Sequence, residues 1–364
     1  MSENVISKAL SHVSERNREE VARHLIAGTT SLMEALERLN QLSGGTLTLF
    51  VTDSEGKLFG SVTDGDIRRA LISGHSLTSR VEEACKEGCM TIGSGIEDAL
   101  KMREARRKGV VLLPITRDGY VESLIDLSRM KGYMPIDAIL MAGGRGERLR
   151  PLTDSTPKPL LPVGGRPIID HNLELLEAYG ARKIYVTVNY LSEKIEEHIK
   201  EYAGKNGDME IKCVKEPYKT GTIGSLALIE GELSEHVLVM NSDLLTDINF
   251  EEMLVKHLEQ DADITIAVTP YIVSIPFAIM EHTGDRVTGL TEKPTYNYYA
   301  NAGIYIIRRE IVENIAKGSR LDAPELIEQA LQAGKVAVQY VIDGKWTDIG
   351  SPDDYRHACE MMGT

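Results

Sequence analysis

The residues best suited to chemistry lie between Leu140 and Pro162, in the stretch LMAGGRGERLRPLTDSTPKPLLP. Gly143, Gly144 and Gly146 crowd a turn in which backbone N–H groups can approach phosphate oxygens with no Cβ in the way. Arg145, Arg148, Arg150 and Lys158 follow at once, cations of the kind that neutralise a polyphosphate chain. The pattern is not a dinucleotide fingerprint, because reading G-x-G-x-x-G from Gly144 puts Leu149 where the third glycine belongs. A P-loop fails as well, since no G-K-[ST] follows. There is no H-E-x-x-H and no G-x-S-x-G, so zinc-hydrolase and serine-hydrolase readings are weak.

A phosphate-binding turn needs a strand before it and a rigid layer beneath it. From Ile136 onward the chain offers both. IDAILMA, KIYVTVN, EIKCVK, VLVMNSD and DITIAVT read as strands. IIDHNLELLEAYG, LSEKIEEHIKEYA, GSLALIEGEL and FEEMLVKHLEQ, set between them, read as helices. This alternation predicts an α/β fold with a Rossmann-like, mostly parallel sheet covered on both faces. Ligands in such sheets bind at the carboxyl ends of the strands, and the glycine turn begins where the first strand ends.

Composition bounds the rest. At roughly 150 residues per domain, 364 residues make two or three domains. With 42% hydrophobic and 26% charged residues, global disorder is excluded. Forty-one basic against 55 acidic side chains leave a net charge of −14, which argues against nucleic acid or an anionic membrane as partner. The longest uncharged apolar run, Val110 to Ile115, is too short to span a bilayer. MSENVISK lacks the apolar core and cleavage site of a secretory leader, so the expected location is the cytoplasm. Cys85, Cys89, Cys213 and Cys359 form no C-x-x-C and fit free thiols in a reducing compartment.

The first third contains an internal repeat, about 22–75 and 80–132. Each copy reads as helix, strand, polar turn, strand, helix. In each the second strand ends in hydroxyl-x-x-Asp: Thr63 with Asp66, then Ser123 with Asp126. Met130 to Pro135 is the expected linker, giving domains 1–134 and 135–364. This layout resembles a pair of CBS domains, a Bateman module. The resemblance implies that Thr63, Asp66, Ser123 and Asp126 hold an adenine nucleotide. The competing reading is that Thr63 and Asp66 cap the next helix. Apolar positions in ALKMREARRKG and IRRALISG predict that the module pairs with a second copy, making a homodimer or higher homo-oligomer.

The second domain resembles the sugar-1-phosphate nucleotidyltransferases, with their GT-A-like fold. G-G-x-G-x-R-L-x-P-L-T with a following P-K-P carries the likeness. It continues through Glu216-Pro217, Gly221-Thr222, Asn241-Ser242-Asp243, Thr291-Glu292-Lys293-Pro294, Asn301-Ala302-Gly303-Ile304-Tyr305 and Trp346-Thr347-Asp348-Ile349-Gly350-Ser351-Pro352. The resemblance implies roles. Ala142, Gly143, Gly144, Gly146, Glu216, Gly221 and Thr222 would bind the nucleotide. Arg148 would hold the departing pyrophosphate. Lys158 would bridge the two reacting phosphates, and Lys293 would bind the sugar phosphate. Glu292 and Asn301 would contact the sugar, and Asp243 and Asp348 would share Mg²⁺.

Glu216 speaks to the base. A carboxylate only accepts hydrogen bonds, which suits the adjacent ring N–H and amine of guanine and would repel a pyrimidine carbonyl. GTP is therefore favoured. A CBS pair ahead of such a domain resembles bacterial enzymes that make GDP-sugars for surface glycans, glucosamine-1-phosphate guanylyltransferases among them. Glucosamine-, mannose- and related hexose 1-phosphates stay open as acceptors. The alternatives are a uridylyl- or thymidylyltransferase of the same family and a non-catalytic nucleotide-sugar sensor; retention of Arg148, Lys158, Asp243, Lys293 and Asp348 weighs against the sensor. No hexapeptide repeats follow Pro352, which disfavours an acyltransferase activity.

Overall fold

The computed structural model describes residues 2–363 apart from 43, 44, 94 and 207–209. The chain divides into two compact units, Met1–Lys131 and Gly132–Thr364.

The first unit opens with helices α1 (Ser2–Leu10) and α2 (Glu15–His24). The first repeat follows as β1 (Leu25–Ala27), α3 (Leu32–Gln41), β2 (Thr48–Thr52), β3 (Leu58–Thr63), α4 (Asp64–Ile72) and β4 (Lys86–Glu87), its strands in the order β1-β2-β3-β4. Ser31 starts α3 by accepting the Glu34 N–H. Leu32, Ala35 and Leu39, at helical spacing, then reach a core with Leu49, Val51, Val62 and Ile67.

The second repeat is shorter. It has α5 (Asp98–Arg107) and the hairpin β5 (Leu112–Arg117) and β6 (Tyr120–Asp126). A lone parallel bridge from Ile92 to Ile115 stands where the first repeat has the β1–β2 pairing. The helix expected after Asp126 does not form. Asp126 Oδ1 instead accepts the N–H and hydroxyl of Ser128, at 2.9 and 2.5 Å, and this Asx turn leads into the linker.

The second unit is built on seven strands: β7 (Asp137–Met141), β10 (Lys183–Val188), β11 (Glu210–Lys215), β12 (His236–Asn241), β14 (Ile264–Ser274), β17 (Thr295–Arg308) and β18 (Ala337–Val341). Between them lie the small strands β8 (Pro162–Val163), β9 (Arg166–Pro167), β13 (Leu244–Thr246), β15 (Ile279–Thr283) and β16 (Arg286–Thr291), with β19 (Trp346–Asp348) closing the set. The large sheet runs β11-β10-β7-β12-β17-β14-β18. β11, β10, β7 and β12 are mutually parallel, while β17 is antiparallel to both neighbours. Helices α6 (Ile168–Ala178), α7 (Ser192–Asn206) and α8 (Phe250–Glu259) make the crossovers; α9 (Arg309–Glu313), α10 (Ala323–Gln332) and α11 (Pro352–Met361) follow. Ala138 to Leu140 and Val237 to Met240 are buried without interruption, as strands covered on both faces must be.

The helix expected over 224–233 is only a 3₁₀ turn, Gly224–Leu228. Ile223 and Gly224 both donate their N–H groups to the Leu321 carbonyl, and Gly231 turns left-handed at φ +105°. These bonds replace the helical ladder. His236 and His257, both buried, are linked at 2.8 Å, and His257 bonds the Thr265 hydroxyl at 2.8 Å. Burial lowers both rings, His257 to about 3, so the pair is neutral scaffold tying β12, α8 and β14. All four cysteines are free; burial raises Cys89 and Cys213 to about 11, which keeps them as inert thiols. Among the described residues no helix is long and apolar enough to cross a membrane.

Candidate active site

The carboxyl ends of β7, β10 and β12 open into a cavity of about 580 Å³, walled on one side by the glycine turn. Gly146 has φ +60°, and a Cβ there would lie 2.9 Å from Thr153 Cγ2 and 3.2 Å from Lys158 Cβ. Conformation and crowding both demand glycine. Thr153 closes the turn by donating its hydroxyl to the Gly146 carbonyl at 2.8 Å. Gly143 is glycine for a different reason: a Cβ there would run into the Glu216 carboxylate. Gly144 meets nothing within 4 Å. Ala142 departs from expectation. It is buried and outside the cavity lining, and its N–H donates to the Thr187 carbonyl at 2.9 Å. The sheet ladder engages the donor that a phosphate would need.

Lys158 opens a short 3₁₀ turn and is 8% exposed. Its ammonium donates to Asp243 Oδ2 and lies 3.7 Å from Asp348 Oδ1. Strand register explains the meeting. β13 pairs antiparallel with β19, Leu244 opposite Asp348, and the Ile349 N–H donates to the Asp243 carbonyl at 3.1 Å. Arg148 completes the cluster, since a Cβ on Gly350 would come within 3.1 Å of its guanidinium. Arg150 turns away to Asp154, at 3.4 Å.

Asp243 and Asp348 each keep one buried oxygen, Oδ1, with no hydrogen-bond partner. Burial first, then the Asp243 charge, pushes the Asp348 carboxyl above the ordinary range, against the pull of Lys158 and Arg148. Hard anionic oxygens left unsatisfied beside a cavity that Asp243 and Lys158 line are a donor set suited to Mg²⁺. The residues therefore fit the metal that the sequence implies. Among the described residues no group of three or more His, Cys, Asp or Glu gathers there. A cation held by these two carboxylates would need phosphate oxygens and water to complete its shell, which is the habit of Mg²⁺.

Glu216 lies just beyond β11, 8% exposed, with its N–H bonded to the Val188 carbonyl at 2.8 Å. Its Oε2 accepts the Thr220 hydroxyl at 2.7 Å, while Oε1 faces Gly143. Burial pushes this carboxyl up, and hydrogen bonds from Thr220 and Thr187 offset only part of the rise. Gly221, at φ +84°, backs onto the Leu321 carbonyl with no room for a Cβ. Thr222 lines the cavity but its polar groups are tied to the start of α10. Its N–H donates to Asp322 Oδ1 at 2.8 Å, and its hydroxyl accepts the Ala323 N–H at 2.9 Å.

Three expected residues stand apart. Glu292 and Lys293 are exposed on the turn between β16 and β17, Lys293 at φ +42°, and neither lines the cavity. Asn301 is also outside the lining; its amide donates to the Tyr305 hydroxyl at 2.8 Å and accepts the Gly303 N–H at 2.9 Å. For Glu292 and Lys293 the cause is that β14 and β17 run on past the sheet as a ribbon, which carries the intervening residues outward; Asn301 pairs with Val268 where the ribbon leaves the sheet. Lys219, Asn189, Arg320 and Asp322 do line the cavity, and sequence reasoning missed them. Asp322-Ala-Pro-Glu325 is legible as a capping box. Nothing in its spacing shows that α10 returns to Gly221.

In the first unit, Thr63 and Asp66 form a reciprocal capping box at the start of α4. Ser123 sits inside β6 opposite Ile115, and Asp126 ends that strand, so this pair opens no helix.

The nucleotidyl transferase family model matches residues 137–363. This chain belongs to the nucleotidyl transferase family. A CBS domain model matches residues 23–73 of the first unit. Mannose-1-phosphate guanylyltransferase 1 of Arabidopsis thaliana is 33% identical to this nucleotidyl transferase over 227 residues, 60% of this chain and 62% of the relative. The mannose-1-phosphate guanylyltransferase catalytic subunit beta of Drosophila pseudoobscura is 34% identical over 225 residues, 60% of each chain. The chain thus spans about three fifths of the length of the curated relatives it matches. Among solved structures, HddC from Yersinia pseudotuberculosis matches with a TM-score of 0.47 and 23% identity, covering 62% of this chain and 99% of that one.

Proposed function

We propose that this nucleotidyl transferase moves a guanylyl group from GTP to a hexose 1-phosphate and releases pyrophosphate. The observation that carries the reading is the Lys158 ammonium set between Asp243 and Asp348 at the foot of a glycine-walled cavity. The choice of guanine rests on the buried Glu216 carboxylate, which lines that cavity with its Oε1 beside Gly143. The names of the curated relatives support the same base and favour mannose 1-phosphate as acceptor.

In this reading an oxygen of the sugar phosphate forms a bond to the α-phosphorus. The bond from that phosphorus to the bridging oxygen breaks, and its electron pair leaves with pyrophosphate. The nucleophile is already an anion, so no general base is needed. The barrier lies in bringing two anions together and stabilising an in-line transition state. Lys158 meets the charge where the two phosphates converge. Arg148 and Arg145 receive the β- and γ-phosphates at the glycine turn. Glu216 accepts the two neighbouring guanine donors and is held in place by Thr220. Mg²⁺, when bound by Asp243 and Asp348, would supply further neutralisation of the phosphate charge. The acceptor phosphate is assigned to Lys158, which lines the cavity.

The test is pyrophosphate release over the four nucleoside triphosphates and a panel of sugar 1-phosphates that includes mannose and glucosamine. GTP with a hexose 1-phosphate is expected to give the highest kcat/KM. No release with any pair would overturn the enzymatic reading, and a preference for UTP or dTTP would overturn the guanine assignment.

A further inference from the structure

The Glu216 carboxylate sits among buried hydroxyls. Thr187, Thr220 and Ser225 are each no more than 1% exposed. They come from three places in the chain: β10, the loop before Gly221, and the 3₁₀ turn Gly224–Leu228. The Ser225 hydroxyl donates to the Thr187 hydroxyl at 3.3 Å. The Thr187 side chain in turn hydrogen-bonds the Glu216 carboxylate, and the Thr220 hydroxyl donates to its Oε2 at 2.7 Å. Glu216 and Thr220 line the cavity, whereas Thr187 and Ser225 lie outside its lining.

Packing gives no reason for this arrangement. Thr187 interrupts a strand whose other buried positions are Ile184, Tyr185, Val186 and Val188. Valine has the same branched shape and no hydroxyl to desolvate, so it would fill that place at lower cost. Ser225 is likewise buried between Gly224 and Leu226. The hydroxyls make sense through the carboxylate they serve. Burial disfavours the ionised form of Glu216, and the bonds from Thr220 and Thr187 favour it.

The direction of the protons decides what the wall can read. An ionised carboxylate only accepts hydrogen bonds. Thr220 has spent its one proton on Oε2, so toward the cavity it too can only accept. Ser225 donates to Thr187, which leaves the Thr187 proton for Glu216. A wall of acceptors without donors suits the two adjacent donors of guanine and opposes a pyrimidine carbonyl. We infer that Thr220, Thr187 and Ser225 are positioning residues that set base specificity by acting through Glu216. The inference rests on the reading of Glu216 as the group that meets the base.

The experiment compares kcat/KM for GTP and UTP in single and double variants of the full-length chain. Thr220→Val is expected to lower the GTP-to-UTP ratio about tenfold, the scale of one hydrogen bond to a charged group. More of that loss should fall in KM for GTP than in kcat. Thr187→Val should lower the ratio less, and Thr220→Ser, which keeps the hydroxyl, should retain most of it. Added to Glu216→Gln, Thr220→Val should cost no further selectivity, because the two act as one unit. Should circular dichroism show Thr220→Val misfolded, Thr187→Val and Ser225→Ala carry the same test. A ratio unchanged in the hydroxyl variants but shifted by Glu216→Gln overturns the inference and spares the reading of Glu216. Losses that multiply in the double variant overturn it as well. A ratio unmoved by Glu216→Gln overturns the reading of Glu216 and the inference with it.

Discussion

Asp66 in the first turn of α4 and Asp243 with Asp348 beside the β13–β19 pair are all carboxylates set close to strand ends, yet their surroundings differ in kind. Asp66 is 5% exposed and fully engaged by its own module. It accepts the Thr63 N–H at 2.9 Å and the Thr63 hydroxyl at 2.6 Å, pairs with Arg69, and has Lys86 at 3.7 Å. Burial alone would raise its carboxyl, but the bonds from Thr63 and Arg69 outweigh it and hold Asp66 below the ordinary range. Asp243 and Asp348 each keep a buried oxygen without a hydrogen bond, and the Asp348 carboxyl is raised. A carboxylate whose oxygens are all satisfied stabilises the fold. One left incomplete in a cavity is held ready for a ligand.

The hardest test of that contrast is to neutralise the cavity carboxylates. Asp243→Asn and Asp348→Asn are each expected to lower kcat by at least about a hundredfold, the scale set by losing one ligand to a metal that stabilises phosphoryl charge. Thermal unfolding should show Asp348→Asn as stable as wild type, because an amide removes a charge that burial disfavours. Near wild-type turnover in both variants would erase the distinction from Asp66.

A smaller effect is expected at Glu216. Glu216→Gln should cut the preference for GTP over UTP by roughly 10- to 100-fold, equivalent to about 1–3 kcal/mol for one bidentate base contact. Because the Glu216 carboxyl is raised, GTP affinity in wild type should weaken on acidification at a higher pH than an ordinary Glu, near 4.3, would give. The Gln variant should lack that acid limb. Calorimetric GTP titrations across pH would show both.

Asp66→Asn should leave turnover untouched and destabilise the first unit by about 1 kcal/mol, on the order of one net hydrogen bond within its capping box. Its folded carboxyl lies below the ordinary value, so its contribution is present above that value, about 3.9, and fades as pH falls through the folded one. Scanning calorimetry should therefore show wild type and variant converging in acid. A loss of turnover instead would make Asp66 a regulatory ligand and break the contrast. The smallest effect belongs to Ser123→Ala, within about 0.5 kcal/mol, since this serine lies mid-strand and caps no helix. An unfolding shift as large as that of Asp66→Asn would show that the second repeat works like the first.

Local order was legible in the residues alone. Near-continuous apolar runs placed β7, β10, β12 and the start of β14, because strands buried on both faces must be apolar throughout, and alternation placed the edge strand β11. Glycine spacing placed the turn at Gly143 to Gly146, where left-handed backbone and close approach admit no Cβ. Hydroxyl-x-x-Asp placed the capping box at Thr63 and Asp66, a bond set that closes within one turn. At Ser123 and Asp126 the same letters fall without a helix to follow. The tertiary structure alone decided which distant groups meet. Lys158, Asp243 and Asp348 converge through the β13–β19 register, and α10 brings Arg320 and Asp322 back to Thr222. It also carried Glu292 and Lys293 out of the cavity on an arm whose apolar faces look like strand core in the sequence. Periodicity reports which side of a strand is apolar; it does not report what, if anything, covers that side, because coverage is set by contacts between residues far apart in the chain.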